Sequence, residues 1–270
     1  MNPSVTVIMP VYNAQDYVAE AIQSILSQSH SDWELLVVND GSTDDSEGVI
    51  RSFDDPRIHY FKQENRGVSV ARNVGLEHMR GNYFCFLDAD DVLTPESLAA
   101  RCTILDSQPD VCFVDGSVEV MDRELKTVIR QKEHTFIGNP INALLSLDSS
   151  CFFGPTWMIR RMPDTIYSFR ENLTHGEDLL FYMTISQNGL YFPIKEVTYR
   201  YRSDNNSAMS DIDGLWSGYK TILSYLTDSG IESSQVSAFR RKIYMIMLKS
   251  FVGAARPWKA MKLLLEFVRS

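Results

Sequence analysis

Three carboxylates stand together in the run Asp88-Ala89-Asp90-Asp91, directly after the apolar stretch Tyr83-Phe84-Cys85-Phe86-Leu87. A buried strand that ends in clustered hard oxygen ligands can hold magnesium or manganese, commonly shared with a substrate phosphate. Strand ends are also where ligands gather in open parallel sheets. The plainer use of this segment is to open the next helix, with Thr94 as N-cap and Pro95 in the first turn. Capping needs Thr94 alone and leaves the three acids unexplained. With no basic residue in the turn, they repel one another unless a cation is present.

Three further segments carry residue types suited to a ligand: Pro10-Val11-Tyr12-Asn13, Asp40-Gly41-Ser42 and Asn65-Arg66-Gly67. Each follows a predicted strand. Strands are expected over residues 5–9, 33–38 and 58–61. Between them lie a helix over 16–28, with Tyr17, Val18, Ala21, Ile22, Ile25 and Leu26 on one face, and a helix opened by Asp44 or Asp45 that carries Val49, Ile50 and Phe53. A third helix, residues 68–79, is closed by Gly81. This alternation is that of a mostly parallel α/β sheet, which sends all four segments to one edge. There they outline a nucleotide pocket: Asp40 to accept from a base N–H, Tyr12 to stack, and the carboxylates to hold a diphosphate through a cation. Taken singly, Tyr12 reads equally as a surface aromatic and Asp40-Gly41-Ser42 as an ordinary turn. Their shared edge favours the pocket. A dinucleotide dehydrogenase is excluded, because Pro10-Val11-Tyr12-Asn13 replaces the glycines that admit a pyrophosphate, and no phosphate-binding G-x-x-x-x-G-K-[ST] loop occurs.

Beyond Thr94 the rhythm changes. A helix to about Ser107 precedes strand segments at 111–114 and 117–120 and a turn at Asp122-Arg123, which together read as a hairpin. A short helix is expected over 139–147, a turn at Gly154-Pro155, and a helix over 177–187 stopped by Asn188-Gly189 as a left-handed C-cap. Residues 191–202 read as extended and 204–210 as loop, and two helices finish the chain.

The 270 residues, 44% hydrophobic, suffice for a sizeable core. Cys85, Cys102, Cys112 and Cys151 have no C-x-x-C spacing and read as reduced structural thiols. The five histidines form no H-E-x-x-H. No run of eighteen apolar residues and no charged leader occurs, so a cytoplasmic protein is expected. Residues 236–270 hold eight basic residues and one acid, Glu266. Their +7 against −9 for the whole chain leaves −16 on the remainder. A basic tail on an acidic body points to an anionic surface, nucleic acid or membrane. The −16 body argues against nucleic acid. Along a helix starting at Trp258, Lys259, Lys262, Glu266 and Arg269 fall in one narrow arc, with Trp258, Met261, Leu264, Leu265 and Val268 outside it. Such a helix either packs on the core or lies on an anionic membrane, and Arg240, Arg241 and Lys242 in the preceding helix favour the membrane.

The set Val7-Ile8-Met9-Pro10-Val11-Tyr12-Asn13, Asn39-Asp40-Gly41-Ser42-Thr43-Asp44, Asn65-Arg66-Gly67, Ala71-Arg72-Asn73, Asp88-Ala89-Asp90-Asp91 and Gly176-Glu177-Asp178, in that order over about residues 4–210, resembles the inverting family 2 glycosyltransferases. The resemblance implies the Rossmann-like A-type glycosyltransferase fold. The catalytic domain would span 1–215, with 1–100 as the nucleotide-sugar half and 101–215 as the acceptor half, and 216–270 would be a helical, basic extension. It further implies a nucleotide-sugar donor, UDP-sugar favoured, with Asp40 on the base, Asp88 near ribose and metal, and Asp90 as metal ligand. Pro10, Tyr12, Asn13, Asn65, Arg66 and Arg72 would complete the donor site, and Asp178 would be the catalytic base with Glu177 orienting the acceptor. Inverting displacement needs such a base and a cation (Mn or Mg) on the leaving diphosphate. The bland use of Glu177-Asp178 is as first-turn acids favoured by the helix dipole.

Two departures from the family pattern stand out. Where the family often carries a histidine ligand two positions after Tyr-Arg, Tyr201-Arg202 is followed by Ser203-Asp204, so that either Asp204 is a substitute oxygen ligand or the loop does not ligate. The Gln-x-x-Arg-Trp motif of processive synthases is missing, which implies one added sugar. The expected acceptor is a glycan or lipid-linked glycan of bacterial surface-polysaccharide synthesis at the inner membrane face. A catalytically silent nucleotide-binding scaffold of the same fold is the competing reading.

Overall fold

The computed structural model describes residues 3–163, 165–186, 189–203 and 211–269, with the backbone alone at 268 and 269. One sheet of nine strands forms the middle of the fold. Its first half is parallel: β1 (Val5–Val11) lies between β2 (Trp33–Asp40) and β4 (Tyr83–Phe86), with β3 (Ile58–Gln63) outside β2. In β1, Val5, Val7, Met9 and Val11 pack on one face and Ile8 on the other. The same alternation divides Leu35 and Val37 from Leu36, and Cys85 and Leu87 from Phe84 and Phe86. Both faces are covered, so the strands read as continuous apolar runs. The helices α1 (Val18–Leu26), α2 (Ser46–Arg51) and α3 (Val68–His78) supply the crossovers. Helix α3 lies close on the sheet because Gly75 faces Ile8, where an added Cβ would come within 2.3 Å of Ile8 Cγ2.

The second half is mixed. Helix α4 (Ser97–Ser107) leads into β6 (Val111–Met121), which turns into the antiparallel β7 (Val128–Lys132). Helix α5 (Ile141–Leu145) and β8 (Met158–Arg160) follow; β8 runs antiparallel between β4 and β6 and joins the halves. Helix α6 (Glu177–Ile185) leads to the long β9 (Leu190–Arg202), parallel to β6 and antiparallel to the two-residue β5 (Val92–Leu93). All four cysteines are free and buried.

Three details depart from expectation. Thr94 is not the cap of α4: its hydroxyl donates to the Val197 carbonyl at 2.5 Å, and Glu96 precedes the helix with no side-chain cap. Helix α6 stops at Ile185, with Ser186 following in an ordinary conformation; Asn188 lies outside the described residues. Three helices, not two, close the chain: α7 (Ile212–Asp228), α8 (Ser233–Gly253) and α9 (Pro257–Arg269). Helix α8 sends Val236, Phe239, Ile243, Met247 and Phe251 into the cluster that holds Leu180, Tyr182 and Trp157.

Trp157 is the hub of that cluster. It is fully buried, stacks on Tyr182 at 4.1 Å, meets Phe113 and Tyr191, and donates from Nε1 to the Cys151 carbonyl. Trp157→Ala is expected to cost about 3–5 kcal/mol in urea unfolding, the range for deleting a buried large aromatic. A loss below about 1 kcal/mol would mean the site collapses without a cavity.

Candidate active site

Parallel strands carry their carboxyl ends to one edge, and there Pro10, Tyr12, Asp40, Asn65, Asp88 and Asp90 line a pocket of about 480 Å³. The four predicted segments do meet. Tyr12 is half exposed, with its ring available for stacking. Asp40 is nearly buried and accepts from the Arg66 N–H at 2.8 Å, the Gly67 N–H at 2.8 Å and Gln63 Nε2 at 2.6 Å. A carboxylate has about four acceptor positions, so about one is left for a ligand. Gly41, at φ +69°, makes this turn possible: a Cβ there would sit 2.6 Å from the Asn65 nitrogen. Asn13 lines the pocket too, but its Oδ1 accepts from the Thr43 N–H, so it braces the loops. The Arg66 side chain is mostly exposed and pairs with Glu171 at 3.2 Å.

The acidic turn separates into different roles. Asp88 is partly exposed and Asp90 exposed, and both line the pocket. Asp91 is buried, accepting from Tyr199 Oη at 2.8 Å and from the Arg202 N–H at 2.7 Å. Burial, followed by the nearby Asp90 and Asp88 charges, pushes its carboxyl well above the usual range. Asp91 is thus a structural tie between the turn and β9. Nor is the turn without positive charge: Arg72 reaches Asp88 at 3.0 Å, and Arg202 Nε donates to the Asp90 carbonyl at 2.6 Å. Self-repulsion therefore does not by itself demand a cation, contrary to the sequence argument.

Arg72 organises the rest. It is 3% exposed on α3, and its guanidinium meets Asp88, Asp178 at 2.6 Å and Glu177 at 3.5 Å. Glu177 and Asp178 open α6 behind Gly176, whose φ is +77°. Arg72 thus joins the edge of this pocket to the start of α6, across about a hundred residues of chain. Burial pushes the Asp178 carboxyl up to about 7, against the pull of Arg72, with the Glu177 and Asp88 charges adding to the rise. Burial is the larger effect, since a carboxylate taken from water loses more than one shared cation returns. A half-buried carboxyl raised toward neutrality, within reach of a pocket edge, suits proton abstraction.

The pocket carboxylates suit a hard divalent cation. Asp88 and Asp90 offer oxygen ligands, and magnesium commonly takes one or two carboxylates with substrate phosphates completing the shell. Among the described residues no group of three or more His, Cys, Asp or Glu side chains forms a cage. Asp204, the expected third oxygen ligand, lies outside the described residues. The bracing Tyr199 and Arg202 were not foreseen, although Tyr201-Arg202 was visible as a motif.

Comparison with known proteins places the chain. The glycosyl transferase family 2 model matches residues 6–166. An uncharacterised glycosyltransferase of Rickettsia bellii (strain RML369-C) is 32% identical over 209 residues, which cover 76% of this chain but 30% of that protein. The chain thus spans less than a third of that relative's length. Among solved structures, S. aureus TarS in complex with UDP-GlcNAc is similar at a TM-score of 0.69 and 19% identity, covering 90% of this chain and 72% of that one. The mannosyltransferase PcManGT from Pyrobaculum calidifontis, in complex with GDP-Man and Mn2+, matches at a TM-score of 0.64 and 18% identity over 98% and 74% of the two chains. These likenesses show a shared A-type fold, and with the family match over more than half its length, the chain belongs to glycosyl transferase family 2.

Proposed function

We propose that the protein moves one sugar from a nucleoside-diphosphate sugar, UDP-sugar first, to a hydroxyl of a glycan or glycolipid in surface-polysaccharide synthesis, with inversion at the anomeric carbon. The observation that carries this reading is Arg72, which brings Asp178 and Glu177 to the carboxylate edge of the donor pocket. Asp40 has an acceptor position left for a base N–H, and Tyr12 offers a ring beside it. Asp178 takes the proton of the acceptor hydroxyl as that oxygen bonds to the anomeric carbon and the bond to the diphosphate breaks. Glu177 orients the acceptor, and Arg72 keeps Asp178 in place. A divalent cation, held by Asp88 and Asp90, would stabilise charge on the leaving diphosphate. The complexes of TarS with UDP-GlcNAc and of PcManGT with GDP-Man and Mn2+ support the donor class and the cation. The test is a screen of nucleotide sugars for donor hydrolysis with Mn2+ or Mg2+ and with chelator. Cation-dependent hydrolysis of one or a few donors is expected. No hydrolysis of any donor, with nucleotide binding retained, would leave a silent nucleotide-binding scaffold.

The partner surface we read as an anionic membrane at the inner face of the cell. Helix α9 turns Ala260 and Leu263 inward and leaves Trp258 77% and Leu265 54% exposed, with Met261 and Leu264 beside them. On α8, Val252 and Met245 are exposed next to Arg241, Lys242 and Lys249. An apolar strip among cations is suited to a headgroup interface, where each cation contributes about 1 kcal/mol. No helix among the described residues is long and apolar enough to cross a membrane. In sedimentation with vesicles, the full chain is expected to bind anionic but not neutral lipid, and Trp258→Ser with Lys262→Glu is expected to lose that binding. Equal behaviour of the two proteins would leave α9 as a packing helix only.

A further inference from the structure

A second, larger groove of about 760 Å³ lies between Arg170 and Asn172, Leu180 on α6 and one face of α7. Along α7 its wall is Ser217, Lys220, Thr221, Ser224 and Tyr225, at the spacings that place side chains on one helix face. A helix face meant only for water is commonly filled with long Glu, Lys and Gln side chains. Here small hydroxyl residues of poorer helix propensity line the face, which leaves an open trough.

Two cations overlook it. The Arg170 guanidinium sits 4.8 Å from the Tyr225 ring centre, and Lys220 Nζ 5.6 Å from the Trp216 ring centre. Among the described residues neither pairs with a carboxylate, so both charges are open to a ligand. The rings hold these charges in place and leave their N–H groups for a ligand. One acid, Asp228, faces the same space.

The trough is also indexed to the catalytic segment. Gly214 and Gly218 let α7 close on His175, the residue before Gly176-Glu177-Asp178; a Cβ on Gly218 would lie 2.2 Å from the His175 carbonyl. Ser217 begins the groove at that contact. Leu180 stands two helix positions after Asp178, about 200° away around α6. The groove is therefore fixed in register with the base but lies around the helix from it, and does not hold the reacting hydroxyl.

We propose that this groove binds an acidic oligosaccharide, the portion of the acceptor chain remote from the hydroxyl that reacts. The proposal rests on the transfer reaction above. Hydroxyls and the Asn172 amide match sugar hydroxyls, and the two cations match carboxylate or phosphodiester groups along the chain. Binding energy gathered there is available to position the reacting end.

The test uses the full chain with three probes: a galacturonic acid hexasaccharide, a glycerol-phosphate oligomer and neutral maltohexaose. Binding is followed by calorimetry, with donor hydrolysis measured in parallel. At least one acidic probe is expected to bind about tenfold or more tighter than maltohexaose. Lys220→Glu, which reverses a charge, and Ser224→Trp, which fills the trough, should each weaken that binding about tenfold or more. Donor hydrolysis and thermal unfolding should stay at wild-type values. Equal binding of acidic and neutral probes, binding of none, or variants that bind like wild type would overturn the groove. If wild type hydrolyses no donor yet binds an acidic probe through Lys220 and Ser224, the groove stands and the transfer reaction falls.

Discussion

Asp90→Ala is expected to remove sugar transfer and cation-dependent nucleotide-diphosphate binding while the protein remains folded. The Asp90 side chain is exposed at the pocket, and its turn is held by groups other than that carboxylate: among them the Asp90 carbonyl accepts from Arg202 Nε, and the Asp91 N–H donates to the Asp88 carbonyl. Removing the carboxylate leaves both in place. A bound cation supplies several kcal/mol of charge stabilisation, so its loss should lower turnover by about three orders of magnitude or more. The neighbouring Asp91→Ala should behave in the opposite way. It strips the acceptor from buried Tyr199 Oη and from the Arg202 N–H, and each orphaned donor costs about 1–3 kcal/mol of stability. Transfer assays with Mn2+ or Mg2+, beside urea unfolding of both variants, separate the two roles. An Asp90→Ala protein that transfers at the wild-type rate in chelator would end the cation reading.

The edge on which these residues meet was legible because parallel strands fix it. Once 5–9, 33–38 and 83–87 are read as buried strands, their carboxyl ends must lie together, and Tyr12, Asp40 and Asp88 line one pocket as that argument requires. Legibility failed where a partner is distant in sequence and its direction is set by packing. Thr94 has a helix-capping residue type in a capping context, yet β9 passes within reach and Val197 takes its hydroxyl. The charge of the acidic turn was misjudged for the same reason, since Arg72 and Arg202 arrive from α3 and β9. In α9 a wheel showed the polar arc but could not choose among the apolar positions. Ala260 and Leu263 face the core, where Ala260 allows close approach, and Trp258 is left outside. The start of α6 was found from Gly176-Glu177-Asp178, but its electrostatics depend on burial, to which a sequence motif is blind.

Those electrostatics give the second large effect. Asp178→Asn keeps the shape of the side chain and a hydrogen-bond acceptor for Arg72 but cannot take a proton. Turnover is expected to fall by about two to four orders of magnitude, the span for losing a general base, with donor affinity unchanged. The pH dependence adds a second signature. In the proposed reaction the active form of Asp178 is the carboxylate, and burial holds its carboxyl up to about 7 against the pull of Arg72. Below that pH the carboxyl is protonated and cannot accept the acceptor's proton; above it the carboxylate is present. The wild-type kcat/KM should therefore climb as pH rises through about 7 and level off above it, because kcat/KM reports the free enzyme's essential groups. The residual activity of Asp178→Asn should lack that ascending limb. Arg72→Lys, with one compact charge where a fork served three carboxylates, should move the limb without abolishing it. Nucleotide-sugar affinity by calorimetry and initial rates across pH 5.5 to about 8.5 bracket the expected limb. A drop in donor affinity at near-normal turnover would reassign Asp178 to the donor pocket, and an unchanged pH limb in the Asn variant would assign the proton to another group.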